Sequence, residues 1–372
     1  MDWKRILAGR TATVEFSGIR RFFELASRMD DPCDLSIGLP DYDAPEPVKR
    51  AAIEAIEAGR NRYTPTAGLP ELHDRIKARL ASHGAEDSAV LITSGVSGGL
   101  LLALFATIDP GDEIVFTDPY FVSYLQLSRI VGGKAVPVPS YPDFAFDAAA
   151  VEAAITPRTK ILMINSPGNP TGRVMTESEV RDAAELARKH NLVLVADEIY
   201  DALCYDGPGP SPMQYAPDHT VLVRGFGKTY GLTGWRIGYA AGPAPIINEM
   251  TKFQQFTFVC APSMAQYAML TALETDVSNH RIDYARKRDL VCECLDGRFE
   301  FQRPGGGFYV FPKAPPGFSS ATAFCEAAAE KNVLVIPGNI FSQRDTHFRV
   351  SYATTDDMIR RGCDVLCSLS KR

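Results

Sequence analysis

From residue 89 onward, short runs of Val, Ile and Leu alternate with longer stretches in which apolar residues recur at helical spacing. The apolar runs predict strands at 89–93, 113–117, 135–138, 160–165, 192–197, 220–224 and 237–241. Because these runs are continuously apolar and separated by helical stretches, the expected arrangement is a mostly parallel sheet covered on both faces. Before this region, an amphipathic helix is expected over Ile19–Met29. Short helices are expected at about 47–58 and 70–82, joined by the polar loop Asn61-Arg-Tyr-Thr-Pro-Thr-Ala-Gly68. Beyond about residue 245 the alternation stops. Helical patterns at 246–256, 263–295 and 320–331 flank strand-like segments at 303–312, 333–336 and 347–353.

In an open α/β sheet, ligands sit beyond the carboxyl ends of the strands, so the residues that follow each run carry the information. Thr93-Ser-Gly-Val-Ser-Gly-Gly99 opens a helix whose free N–H groups would suit a phosphate, although glycine-rich strand-to-helix turns are common. Asp118-Pro-Tyr-Phe-Val-Ser-Tyr124 offers aromatics that could stack on a flat ring or simply pack in the core. Asn165-Ser-Pro-Gly-Asn-Pro-Thr-Gly172 supplies Asn169 as an amide donor, and Asp197-Glu-Ile-Tyr200 brings a carboxylate out of an apolar strand.

The last strand end is the most informative. Lys228 sits among apolar and small residues, where desolvation disfavours the ammonium and a neutral amine can add to a carbonyl. Arg236, eight residues on, could hold an anion of the same ligand, and the pair suggests pyridoxal phosphate. Taken alone, a solvated surface lysine is the ordinary alternative. A phosphate-cradling loop ending Gly227-Lys228-Thr229 is excluded, because it requires glycine where the chain has Leu222. Near the C-terminus, Arg349 lies in the strand-like run His347-Phe-Arg-Val-Ser-Tyr-Ala353; it is either an exposed edge residue or a fork for a carboxylate. Gly38, in Gly-Leu-Pro-Asp41, either makes a plain turn or lets the backbone approach a ligand.

Composition narrows the classes further. The chain has 372 residues, enough for two domains, and its net charge of −6 with no basic run argues against a nucleic-acid groove. The longest apolar stretch, Leu100–Ile108, is too short to span a bilayer, and Met-Asp-Trp-Lys-Arg5 lacks the apolar core of a secretory signal, so a cytoplasmic protein is expected. The eight cysteines include no C-x-x-C pair and the six histidines are dispersed. Reduced thiols and no metal site are therefore expected.

Four ordered motifs carry a family resemblance: Asn-Pro-Thr-Gly172, Asp-Glu-Ile-Tyr200, Gly-Lys-Thr-Tyr-Gly-Leu-Thr-Gly-Trp-Arg-Ile-Gly238 and Phe-Arg-Val-Ser-Tyr-Ala353. With Gly38-Leu-Pro-Asp41 before them, the sequence closely resembles the class I/II aminotransferases over nearly its whole length. The resemblance implies the pyridoxal-phosphate transferase fold (aspartate aminotransferase-like, fold type I). It also implies an N-terminal arm (1–35), a large cofactor-binding domain (36–260) with a seven-stranded sheet, and a smaller α+β domain (261–372) joined by part of the N-terminal segment. Lys228 would be the Schiff-base lysine and proton shuttle, Asp197 the partner of the pyridine nitrogen, and Asn169 and Tyr200 the contacts to the ring oxygen. Phe121 would stack on the ring; Gly95, Val96, Ser97 and Arg236 would take the phosphate. Arg349, with Gly38 and Asn169, would grip the substrate carboxylate, and Ile19 would border the substrate. Tyr63 resembles the tyrosine that reaches the neighbouring subunit's phosphate, which implies a homodimer with shared sites.

The implied reaction is ping-pong transfer of an α-amino group to a 2-oxo acid such as 2-oxoglutarate. The alternatives are a carbon–sulfur lyase or synthase on the same fold and, more distantly, a non-catalytic regulator that binds the cofactor. Two departures stand out. Gly225 and Gly227 occupy positions where the family often has serines, and no lysine stands near Ser97, where members selective for acidic substrates can carry one.

Overall fold

The computed structural model describes residues 1–16, 18 and 29–370; the helix expected over 19–29 lies, except for Met29, outside them. At the centre is a seven-stranded sheet built from β2 (Ala89–Thr93), β3 (Glu113–Asp118), β4 (Lys134–Pro139), β5 (Thr159–Asn165), β6 (Val193–Asp197), β7 (Thr220–Gly225) and β8 (Gly238–Gly242). Their order across the sheet is β2-β8-β7-β6-β5-β3-β4, with β8 alone antiparallel to its neighbours. All seven expected strands are present, each within a residue or so of its expected limits.

Alternation along each strand feeds two cores. In β7, Val221 and Val223 join a cluster with Leu100, Leu104, Ile161 and Val195, covered by helix Gly95–Thr107. Leu222 points the other way, into a cluster with Ile92, Leu162, Leu194 and the buried face of helix Glu177–Lys189. That helix starts at a reciprocal cap: the Thr176 side chain accepts from the Glu179 N–H, and the Glu179 carboxylate accepts from the Thr176 N–H.

A third cluster gathers Tyr284, Leu290, Val310, Phe324, Phe348 and Ile359 from helices Ser278–Leu295, Ala321–Glu330 and Asp356–Leu369 and from β9 (Tyr309–Val310) and β12 (Phe348–Ser351). The N-terminal segment enters this part through β1 (Cys33–Asp34), which pairs in parallel with β10 (Val333–Leu334). Helix Ser263–Ala272 lies beyond residue 260, yet its buried residues Ala265, Ala268 and Met269 belong to the core under the large sheet.

Three expected elements are interrupted. The helix over 263–295 breaks into two, and the Asp276 carboxylate accepts from the Ser278 N–H at the start of the second. The strand over 303–312 shrinks to β9, because the N–H groups of Gly305 and Gly306 donate to Gly172 O and that of Gly307 to Leu203 O rather than to a ladder. The strand over 333–336 becomes β10 and β11 (Ile336–Pro337), which serve different sheets.

Candidate active site

The carboxyl ends of β2, β3, β5, β6 and β7 open on one cavity of about 520 Å³. Because β8 runs antiparallel, the residues entering it, Arg236 and Ile237, reach the same edge. Gly38, Gly95, Val96, Ser97, Phe121, Asn169, Asp197, Tyr200, Lys228, Arg236 and Arg349, all singled out from sequence, line this cavity. Tyr63 does not: it is 83% exposed on the surface loop before helix Pro70–Leu80. Ile19 lies outside the described residues.

Lys228 follows β7 in the four-residue helix Phe226–Thr229, and its ammonium donates to the Gly38 carbonyl. Burial, with the nearby cations Arg349 and Arg236, pulls its pKa down to about 8. Its amine therefore loses its proton far more readily than an exposed lysine.

Asp197, the last residue of β6, is buried, and burial pushes its carboxyl up to about 6. Two donors counter this by stabilising the anion: the Tyr124 hydroxyl at 2.7 Å and the Ile199 N–H at 3.2 Å. Asn165, the last residue of β5, braces the turn by donating its amide N–H to Asp197 O (2.8 Å) and accepting from the Asn169 N–H (2.9 Å).

Arg349 is 1% exposed, and no acidic side chain among the described residues pairs with it. It lies over the rings of Tyr309 (4.4 Å) and Phe341 (4.6 Å). One guanidinium nitrogen donates to Asn169 Oδ1 at 3.0 Å and the other to Ser36 O at 2.8 Å, while Nε has no partner. Since Asn169 Oδ1 accepts this bond, the amide's own N–H groups remain as donors. An unpaired buried guanidinium costs several kcal/mol, a cost that an arriving anion offsets.

Arg236, which also lines the cavity, takes a left-handed conformation (φ 53°, ψ 53°), which strains a non-glycine residue by about 1–2 kcal/mol. The turn lays its guanidinium over Gly95, where a Cβ would come within 2.8 Å of Nη2. Helix Gly95–Thr107 begins beside it, so a guanidinium and a helix N-terminus share one corner.

Of the two glycines that depart from the serine pattern, Gly225 has a local cause. A Cβ on Gly225 would meet Ile199 Cδ1 at 2.5 Å and Val96 Cγ2 at 3.0 Å, so the space for a side chain there is already filled. Gly38 admits no Cβ either, since one would stand 2.6 Å from the Tyr309 hydroxyl.

Sequence reasoning did not assign Asn165, Ser36 or Tyr309 to the site, and it offered Tyr124 as a ring-stacking aromatic rather than as the donor to Asp197. Asn165 closes a strand at the ligand edge and could have been found by that rule. Tyr309, whose hydroxyl lies 3.2 Å from that of Tyr200, is hidden in the run Phe308-Tyr-Val-Phe311, which reads as core.

A sheet of this order, with an aspartate, a lysine and two arginines around its carboxyl edge, defines a group-transfer enzyme of the aminotransferase type. The chain belongs to the aminotransferase class I and II family, whose model matches residues 30–366. It is 34% identical to a probable aspartate aminotransferase of Methanocaldococcus jannaschii, over 97% of this chain and 99% of that protein. It is 33% identical to aromatic-amino-acid aminotransferase 2 of Thermococcus litoralis, over 96% of both. The solved aspartate aminotransferase of Thermotoga maritima superposes with a TM-score of 0.94 at 30% identity, covering 98% of this chain and 100% of that one. The protein is thus an aminotransferase acting on amino acids and 2-oxo acids. None of the helices among the described residues is long and apolar enough to cross a membrane.

Proposed function

We propose that the protein uses pyridoxal 5'-phosphate to move the α-amino group of aspartate or an aromatic amino acid to 2-oxoglutarate in a ping-pong reaction. Relatives of nearly equal identity named for aspartate and for aromatic amino acids support both donors. The observation that carries the cofactor reading is the charge layout: three cations and one carboxylate line the cavity, with the carboxylate buried at its floor. The residues fit the group. The unpartnered Arg349 Nε calls for an anion, and the corner of Arg236, Ser97 and the helix N-terminus suits a phosphate dianion.

When bound, pyridoxal phosphate supplies an aldehyde for the amine and a ring that accepts electrons from the substrate carbon. Arg236, Ser97 and the N–H groups of Gly95 and Val96 would hold the phosphate. Asp197 would keep a proton on the ring nitrogen, the Asn169 amide and Tyr200 hydroxyl would donate to the ring oxygen, and Phe121 would pack against the ring. Arg349, with the Gly38 backbone, would fix the substrate carboxylate, and Lys228 Nζ would take the proton from the substrate α-carbon and deliver it to the cofactor carbon. The chain works as a homodimer in which the exposed Tyr63 serves the neighbouring copy, and its eight free cysteines suit a cytoplasmic setting.

The test is an absorbance titration of purified protein loaded with cofactor. The visible band is expected to bleach on adding aspartate or phenylalanine and to return on adding 2-oxoglutarate. Ammonia release independent of any oxo acid would replace this reading with the lyase, and a protein that takes up no cofactor would refute it.

Two smaller effects follow. With the Lys228 pKa at about 8, covalent attachment of cofactor to cofactor-free protein should speed up about tenfold per pH unit below pH 8 and level off above it, as stopped-flow absorbance would show. Tyr124→Phe removes one of the donors to Asp197, so the carboxyl pKa rises and less carboxylate meets the ring nitrogen at neutral pH. A hydrogen bond to a charged group contributes about 1.5–3 kcal/mol, or about one to two pKa units, so equilibrium dialysis at pH 7 should find cofactor affinity about two- to fifteen-fold weaker, more so at lower pH.

A further inference from the structure

Outside the cavity, a cluster of polar groups joins the loop 38–43 to helix Ser278–Leu295, and the reaction proposed above leaves it without a role. The Asp41 carboxylate accepts from the Tyr284 hydroxyl at 2.9 Å and pairs with the buried Lys287 ammonium, which also pairs with Asp283 at 3.0 Å. The Asp41 N–H donates back to the Tyr284 oxygen at 3.2 Å. Next along the loop, the Tyr42 ring lies flat on the His280 imidazole, with centroids 3.6 Å apart and planes 6° from parallel. A buried lysine held between two carboxylates is a costly arrangement unless geometry is the gain.

What this loop touches on its other side is Lys228, at both ends of the residue. The Tyr42 hydroxyl donates to the Lys228 carbonyl at 2.6 Å, with Thr229 O at 3.4 Å, while Gly38 O accepts from the Lys228 ammonium. The four-residue helix that carries Lys228 is too short to hold itself, so its orientation depends on such outside contacts. The loop passes close by Gly231 as well, where a Cβ would stand 2.6 Å from Tyr42 O.

We propose that Tyr42, locked by its stack on His280 and by the neighbouring Asp41–Lys287 pair, is a positioning residue that fixes the backbone of Lys228 so that its amine stays against Gly38 and over the cavity. This rests on the reading of Lys228 as the reactive amine, but its first test does not. Tyr42→Phe keeps the stacked ring and deletes the hydroxyl; His280→Ala keeps the hydroxyl and deletes the stack.

In cofactor-free protein, competitive labelling of amines with acetic anhydride across pH, read by mass spectrometry, gives the titration point of Lys228. In Tyr42→Phe it should climb from about 8 by about one unit, because a loosened lysine leaves its desolvated place; about tenfold less neutral amine then remains at pH 7. His280→Ala should move it the same way by less. In loaded protein, Tyr42→Phe should lower kcat about tenfold and leave KM for the amino acid within about twofold, since the groups that grip the carboxylate are untouched. An unmoved Lys228 titration in both variants overturns the proposal. If the titration moves but no variant, nor the parent, transaminates, the positioning stands and the assigned reaction falls.

Discussion

Lys228→Ala abolishes transamination, with a fall in kcat of at least about 10⁴-fold, the upper range of what a placed acid–base group supplies, and further loss from the missing covalent link. The protein should still fold, since the side chain lines an open cavity and its one hydrogen bond among the described residues is to Gly38 O. Cofactor should still be retained by Arg236, Ser97, Asp197 and Asn169, but without the absorbance of the lysine adduct. The sharper comparison is Lys228→Arg. It keeps a positive charge and a long stem, yet its guanidinium stays protonated at any working pH and cannot act as a base. Both variants should be equally inactive in single-turnover assays, and activity retained in Lys228→Arg would remove Lys228 from proton transfer.

The contrast between what the chain spells out and what it conceals has a physical cause. Groups at strand ends are legible, because a polar residue closing an apolar run must leave the sheet at its ligand edge; Asp197 and the Thr93-to-Gly99 turn are of this kind. Seven strands were legible for the same reason, their continuous apolar character. Partners that reach the site across the fold leave no local mark. Tyr124 reaches Asp197 across 73 residues, and Ser36 meets Arg349 across 313. Ser36 looks like an ordinary position in its own segment, and Tyr124 reads as a stacking aromatic rather than as a donor to a carboxylate. The short strands of the C-terminal part were misjudged where glycine amides at 305–307 bond to distant loops rather than to a ladder. Gly225 and Gly227 read as departures from the family's serines, and at Gly225 the structure gives a steric reason, with Ile199 and Val96 occupying the side-chain space.

Arg349→Met should lower kcat/KM for the amino-acid donor several hundred-fold, mostly through KM. A bidentate guanidinium–carboxylate pair that holds the substrate equally in the ground and transition states is worth about 3–4 kcal/mol, which at 1.36 kcal/mol per decade gives that factor. The sign of the stability change is the more telling part. In the parent protein the guanidinium is buried, with no acidic partner and with Nε unsatisfied among the described residues, so its desolvation weighs against folding. Methionine fits the slot between the Tyr309 and Phe341 rings and carries no such burden, but it leaves Asn169 Oδ1 and Ser36 O each short of a donor. The two effects oppose each other, and Tm should move by only a few degrees while activity collapses. Cofactor should still be taken up, because Arg236, Ser97 and Asp197 are untouched, but loss of the Arg349 charge near Lys228 raises the amine's pKa and shifts the pH dependence of the absorbance. An Arg349→Met protein that loses many degrees of Tm would show the arginine to be a structural strut, and one that keeps its KM would show the carboxylate to be held elsewhere.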